Sequence, residues 1–245
     1  YQAMGDTAKA EEALAQVAAQ AVEQPRQVAQ ALTKLANTYR DRGELEMAET
    51  QYRRSLSIDP SYIGAYLQLA YLFDQQGRFD EVLAIYQQAV EAAPQDADAR
   101  FKLGQAYRRA GDLEAASEQL LQAVRLDPTR YRALVELGRV LESQNDLSQA
   151  IDYYQQAVAI NANDPQTRLL LGSAFRRTGQ PAKAVEQLTA LRELAPANTE
   201  GAVQLAQAYI ALNQLDNART AIDAALATAP EMVSALFLSA EIDRL

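Results

Sequence analysis

Glycines and prolines recur along this chain at one fixed step, and that step limits the fold more than any other feature. Gly43, Gly77 and Gly111 lie 34 residues apart, and Gly179 falls two steps further on. Pro60, Pro94 and Pro128 keep the same step, with Pro196 and Pro230 back in register after one gap. The stretch 103–128, LGQAYRRAGDLEAASEQLLQAVRLDP, holds the full skeleton. It has a Leu-Gly pair, a Tyr four residues after the Leu, a Gly four after the Tyr, the small Ala116 and a closing Asp-Pro. A period of this size, made of a helix, a turn and a helix, is the arithmetic of a helical solenoid. Such a solenoid is expected to be a single quasi-linear body with a core running its whole length.

Composition narrows the function. The chain has 245 residues, 49% of them hydrophobic, with no Cys, no His and a formal net charge of −9. Disulfides, thiolate nucleophiles, imidazole acid–base chemistry and the usual zinc ligand sets are therefore absent. The acidic balance argues against nucleic acid, whose binding needs a basic face to displace counterions. No apolar run reaches the length of a membrane span, so direct membrane insertion is not expected. A soluble protein, cytoplasmic rather than periplasmic, is the favoured reading.

In chain order, residues 1–28 read as a partial repeat, a turn and second helix starting at Gly5, with residues 1–4 open to reading as a tag remnant. Gln24 and Pro25 break that helix, and a longer connection is expected before the next repeat. Six complete units follow: 29–62, 63–96, 97–130, 131–164, 165–198 and 199–232. The piece 233–245 reads as the first helix of a further or capping repeat, with Phe237 and Leu238 expected to be exposed. Apolar and small residues sit three and four apart in each first helix, as in Leu69, Ala70 and Phe73, which is a helical period.

The turns between helices begin with Gly43, Gly77, Gly111, Asn145, Gly179 and Asn213. Only Gly and Asn occur there, the residues that tolerate left-handed backbone at a helix C-terminus. The second helices offer a small slot at Ala48, Val82, Ala116, Ala150, Ala184 and Ala218. Four residues on comes a large partner: Tyr52, Tyr86, Leu120, Tyr154, Leu188 and Ile222.

On these residues the chain resembles the tetratricopeptide repeat family. Leu137, Gly138, Ala150, Tyr154 and Ala157 fit its pattern in one unit, and Leu205, Ala206, Tyr209, Ala218, Ala225 and Pro230 in another. Arg100 and Arg168 depart from it, standing where the family usually has a bulky apolar residue. The fourth unit also departs, with Pro165 three residues past the exit position. The resemblance implies an all-α fold, a right-handed superhelical solenoid of antiparallel helix pairs, with first helices lining a concave groove.

Nothing in the sequence points to catalysis. The carboxylates, such as Glu11 and Glu12, are spread as solvated helix charges with no accompanying base or nucleophile, and the glycines form no phosphate-cradling loop. No cofactor and no metal are expected. The first helices carry a face separate from the core face. Its first row is Thr33, Leu67, Phe101, Val135, Leu169, Val203 and Phe237, six of seven apolar, which is costly on a wall facing water. The next row includes Asn37, Tyr71, Gln105 and Arg139. A third includes Arg40, Asp74, Arg108, Glu142 and Arg176. Arg108-Arg109 and Arg176-Arg177 stand at equivalent places two repeats apart, and with Arg139 they form a basic stripe.

By the family's geometry this face would bind a peptide through Asn37, Leu67, Tyr71, Phe101, Gln105, Arg108, Val135, Arg139, Leu169, Arg176, Arg177 and Val203. Its Arg residues would take carboxylates by forked hydrogen bonds. The competing reading packs the apolar row against neighbouring helices and pairs the Arg residues with nearby Glu and Asp. The family's carboxylate clamp is rejected, because Thr33, Gln68 and Asp98 stand where Lys, Asn and a basic residue belong. The Asn ladder of its sugar-transferase members is rejected too, since only Asn37 is present. The expected function is a non-catalytic scaffold or adaptor whose partner is another protein or peptide. The alternatives are a docking module of a larger enzyme or secretion protein, and a homo-oligomer joined through exposed terminal repeats.

Overall fold

The computed structural model describes residues 22–244, and the partial repeat expected from Gly5 lies almost wholly outside them. Among the described residues there are helices and no strands. Six helix pairs run in order: α1 (Pro25–Asp41) with α2 (Leu45–Ile58), α3 (Ile63–Gln75) with α4 (Phe79–Ala92), and α5 (Ala97–Ala110) with α6 (Leu113–Leu126). Then come α7 (Tyr131–Ser143) with α8 (Leu147–Ile160), α9 (Pro165–Arg177) with α10 (Pro181–Leu194), and α11 (Thr199–Ala211) with α12 (Leu215–Thr228). A single helix, α13 (Val233–Ile242), follows. The class is an all-α helical-repeat solenoid.

Each pair is set by its turn. The six Gly and Asn residues that open the turns all have positive φ, from +57° at Asn213 to +84° at Gly111. The amide of the residue after each turn Gly or Asn then donates back to the carbonyl five residues earlier. Arg78 donates to Phe73 at 2.9 Å and Asp146 to Leu141 at 2.8 Å. That bond satisfies a carbonyl the helix leaves open and fixes the reversal. Helix starts are set by side chains and prolines. Asp96, Asp146, Asp164 and Asn198 each accept a backbone amide three residues on. Pro165 sits in the first turn of α9, where no donor is lost. That accounts for its displacement from the exit position.

The extra residues near Pro25 lengthen a helix rather than a loop. α1 has 17 residues where α3 has 13, and it starts at Pro25, one turn ahead of residue 29. Gln24 alone interrupts the helical backbone between residues 23 and 25. Proline is tolerated at that first turn, so the chain spends the four residues on α1.

By their contacts the described residues divide into two compact units, one up to Leu126 and one from Asp127. In a repeat array each element touches chiefly its neighbours, so contacts can divide at a repeat boundary. The N-terminal unit buries Tyr52, Leu69, Leu72 and Phe73 completely. In the C-terminal unit Leu134, Tyr154, Leu171, Leu188, Leu205 and Ile222 are 2% exposed or less. Small residues let the paired helices close. A Cβ added to Gly138 would stand 2.4 Å from the Tyr154 ring, so the ring lies directly on the α7 backbone.

The two family departures have structural partners. The Arg100 guanidinium donates to the Pro94 carbonyl at 2.7 Å and to Gln119 at 2.9 Å. Two repeats on, Arg168 donates to the Ala162 carbonyl at 2.8 Å and to Gln187 at 2.9 Å. Each Arg thus ties its own helix pair together and holds the preceding loop.

Candidate functional site

The middle of the apolar row does not face water. Phe101, Val135, Leu169 and Val203 are only 6–8% exposed, covered within the fold. Some first helices pack directly on one another, α1 on α3, α9 on α11 and α11 on α13, which gives Leu169 and Val203 somewhere to go. Thr33, the polar member of that row, is buried too, 3.0 Å from the Ser55 hydroxyl, which donates to the Ala29 carbonyl at 2.8 Å. These four apolar residues therefore belong to the packing and not to an open wall. At the C-terminal end only half the expectation for α13 holds. Phe237 is 71% exposed, whereas Leu238 is buried.

An open cleft of about 560 Å³ does exist, in the N-terminal unit. Helix α3 supplies Leu67, Gln68, Tyr71 and Asp74; α5 supplies Lys102, Gln105, Ala106 and Arg109. Arg40 of α1 closes one side, and Val82 and Tyr86 of α4 form the floor. Three of the sequence-derived candidates, Leu67, Tyr71 and Gln105, meet here. Leu67 and Gln105 are half-buried, while Tyr71 is 48% exposed.

Tyr71 is held in place from two sides. Gln75 donates to its hydroxyl at 2.8 Å, and the Arg40 guanidinium lies 5.3 Å from its ring centroid. Arg40 itself donates to Gln68 at 2.7 Å and pairs with Asp41 at 3.0 Å. Across the cleft, Arg109 pairs with Asp74 and stacks on Phe79, its guanidinium carbon 3.7 Å from the ring centroid. Burial pushes the Tyr86 hydroxyl up to about 12, with the Asp74 carboxylate adding to it. The cleft therefore lines an aromatic platform with three cations and one carboxylate, in a chain whose net charge is −9.

The remaining candidates are placed otherwise. Asn37 is half-buried and accepts the Tyr52 hydroxyl at 2.6 Å, so its oxygen is already used in packing. Arg177 is ion-paired with Glu142, which also accepts the Tyr154 hydroxyl at 3.0 Å. Arg177 thus fits the charge-balancing reading, not a free basic stripe. Arg108, Arg139 and Arg176 are half-buried on the last turns of their helices or near them. The Nε atoms of Arg139 and Arg176 are shut away from solvent, so the forked contact expected of them is limited to their outer nitrogens.

Sequence reasoning overlooked Lys102, Gln68, Tyr86 and Arg109 as cleft residues. Lys102 is next to Phe101 on the helix and falls outside the three rows. Tyr86 fills the large-partner slot of its repeat, which by itself points to packing. The signal that could have singled out Lys102 is its company: the equivalent residue two repeats on is Leu170. Among the described residues no group of His, Cys, Asp or Glu is arranged to hold a metal ion. No described helix is long and apolar enough to cross a membrane.

Family models and solved structures agree with this architecture. A tetratricopeptide repeat model matches residues 67–130 and 102–165, and a further TPR repeat model matches 36–77. The model of anaphase-promoting complex, cyclosome, subunit 3 matches 143–225. No curated protein sequence matches the chain significantly. The structure of YrrB, described as a TPR protein with an unusual peptide-binding site, is 22% identical, with 79% of this chain and 98% of that one covered at a TM-score of 0.68. PilF of Pseudomonas aeruginosa is 22% identical over 89% of this chain and 98% of its own, with a TM-score of 0.72. MamA is 25% identical over 68% and 91%, with a TM-score of 0.63.

Proposed function

The chain belongs to the tetratricopeptide repeat family, and from that premise we propose that it is a non-catalytic interaction scaffold that binds a peptide segment of another protein in the α3–α5 cleft. The observation that carries this reading is the cleft itself, about 560 Å³ of open space over an exposed, pre-positioned Tyr71. An aromatic ring held on both sides has little rotamer freedom left to lose on binding, which favours its use as an anchor. YrrB, a structural neighbour, is described as having a peptide-binding site, which is in keeping with a peptide as the ligand class.

The test is a pull-down from source lysate comparing the chain with a Tyr71→Glu/Gln105→Glu variant, both of them on the cleft wall and away from the buried core. Circular dichroism checks that the variant is folded. A protein retained by the wild type and lost with the folded variant would support the cleft as the site. The same proteins retained by both would sink the reading.

A second reading, association of copies through α13, is favoured by the exposure of Val233, Leu236 and Phe237 on one short helix. Light scattering that reports a monomer at every accessible concentration would remove it.

A further inference from the structure

We propose that the α3–α5 cleft selects an internal acidic residue: a Glu or Asp side chain of the bound segment seats on the Lys102 ammonium, while a neighbouring apolar or aromatic side chain lies on Leu67 and Tyr71. This rests on the peptide-binding reading above and names the chemistry of the peptide. The first argument is charge balance within the cleft. Asp74 is taken by Arg109, and Arg40 is taken by Asp41 and Gln68. Lys102 is half-buried and pairs with no carboxylate among the described residues; its ammonium lies 5.6 Å from the Phe101 ring centroid. One cation is thus left over, partly removed from water, where an anion gains most from pairing with it.

The second argument is independent and comes from the chain's own repetition. Two repeats on from α3–α6, the residues with structural partners recur: Arg100 as Arg168, Gln119 as Gln187, Arg109 as Arg177, and Asp74 as Glu142. Three other cleft residues do not recur. Tyr71 gives way to Arg139, Lys102 to Leu170 and Gln105 to Ser173. The scaffold therefore accepts Leu at this position, and a half-buried Lys there is not required by packing.

The third argument separates a side-chain carboxylate from a chain terminus. A terminal carboxylate held by a clamp needs several strong donors around it, and this face offers few. Thr33 is buried against Ser55, Asp98 is acidic, and Asn37 and Gln68, whose oxygens accept from Tyr52 and Arg40, have only neutral amide N–H groups to give. What remains is one cation beside an aromatic platform, suited to one side-chain carboxylate with an apolar neighbour.

The experiment is selection of phage-displayed random peptides, held internally within the coat protein, on the wild type and on Lys102→Glu. The wild-type pool is expected to be enriched in Asp or Glu next to an aromatic or aliphatic residue. The Lys102→Glu pool is expected to lose that preference and gain Lys or Arg. Fluorescence anisotropy with a selected peptide should show binding at least tenfold weaker to Lys102→Leu, a variant whose folding is supported by Leu170. Amidating the peptide's C-terminus should leave affinity unchanged. Wild-type pools with peptides but no acidic preference, or identical pools from both proteins, overturn this proposal alone. Loss of binding on amidation overturns it in favour of a terminal carboxylate. Failure to select any peptide overturns the peptide-binding reading and this proposal with it.

Discussion

Two stretches of the chain, 63–126 and 131–194, fold as successive pairs of helix pairs with the same internal bonds and different residues at the positions that line the cleft in the first. In both, an Arg in the first turn of the third helix ties the preceding loop to a Gln on the fourth helix. In both, a carboxylate at the end of the first helix pairs with the second Arg of an Arg-Arg step. Yet the first stretch presents Tyr71, Lys102 and Gln105, and the second has Arg139, Leu170 and Ser173 in their places. The ion pairs and loop ties recur, whereas Tyr71, Lys102 and Gln105 of the cleft lining do not. The repetition thus sorts scaffold from surface inside a single sequence.

The sharpest way to break the comparison is at the helix–helix contact. Tyr154 lies on Gly138, with 2.4 Å between its ring and the place a Cβ would occupy. Gly138→Ala should therefore destabilise the C-terminal unit by roughly 2 kcal/mol despite the better helix propensity of Ala, because a packed ring cannot move aside. Chemical denaturation measures it, and an unchanged midpoint would show that the ring relocates freely.

The next largest effect should come from the two carboxylates. Glu142 accepts the Tyr154 hydroxyl as well as pairing with Arg177, whereas Asp74 pairs with Arg109 and makes no hydrogen bond to Tyr86. Glu142→Ala leaves a buried hydroxyl without its acceptor, at a cost of about 1–3 kcal/mol. Asp74→Ala loses only an exposed pair, worth about 0–1 kcal/mol. Equal losses in parallel unfolding curves would mean that the Tyr154 bond contributes nothing.

The smallest effect is one of pH. Burial first, and then the Asp74 carboxylate, raise the Tyr86 hydroxyl from 10.0 to about 12. The fold therefore favours the protonated form. Its contribution is complete below about pH 10 and is lost as pH climbs towards 12, where the unfolded chain has already released the proton. Tyr86→Phe should remove that part of the alkaline loss, roughly 1 kcal/mol near pH 11. Identical pH profiles for the two proteins between about pH 8 and 11 would refute the assignment.

Much of the fold was legible because repeat slots are local. Gly111 and Asn145 announce left-handed turns by their residue type, and Gly138 with Tyr154 announces a close contact by its size pattern. The site was legible only in part. Helical spacing puts Leu67, Tyr71 and Gln105 on one face, and the cleft brings them together. Phe101, Val135, Leu169 and Val203 share the first of these rows with Leu67, yet they are buried. The apolar character of those four positions goes with burial within the fold. Arg108 and Arg109 look interchangeable in sequence, but Arg109 alone turns into the cleft.

By itself, then, the sequence determined the period, the helix limits and the residues that close each helix pair. All of these depend on contacts within about one repeat, where backbone preference and side-chain size act directly. Only the tertiary structure decided which side chains on the first helices are buried or paired within the fold and which are not. That depends on how closely one first helix approaches the next and on which charges are already spent on each other. Asn37, Arg177 and Phe101 carry the residue types of a binding site but are committed to the fold, while Lys102, outside every expected row, is not.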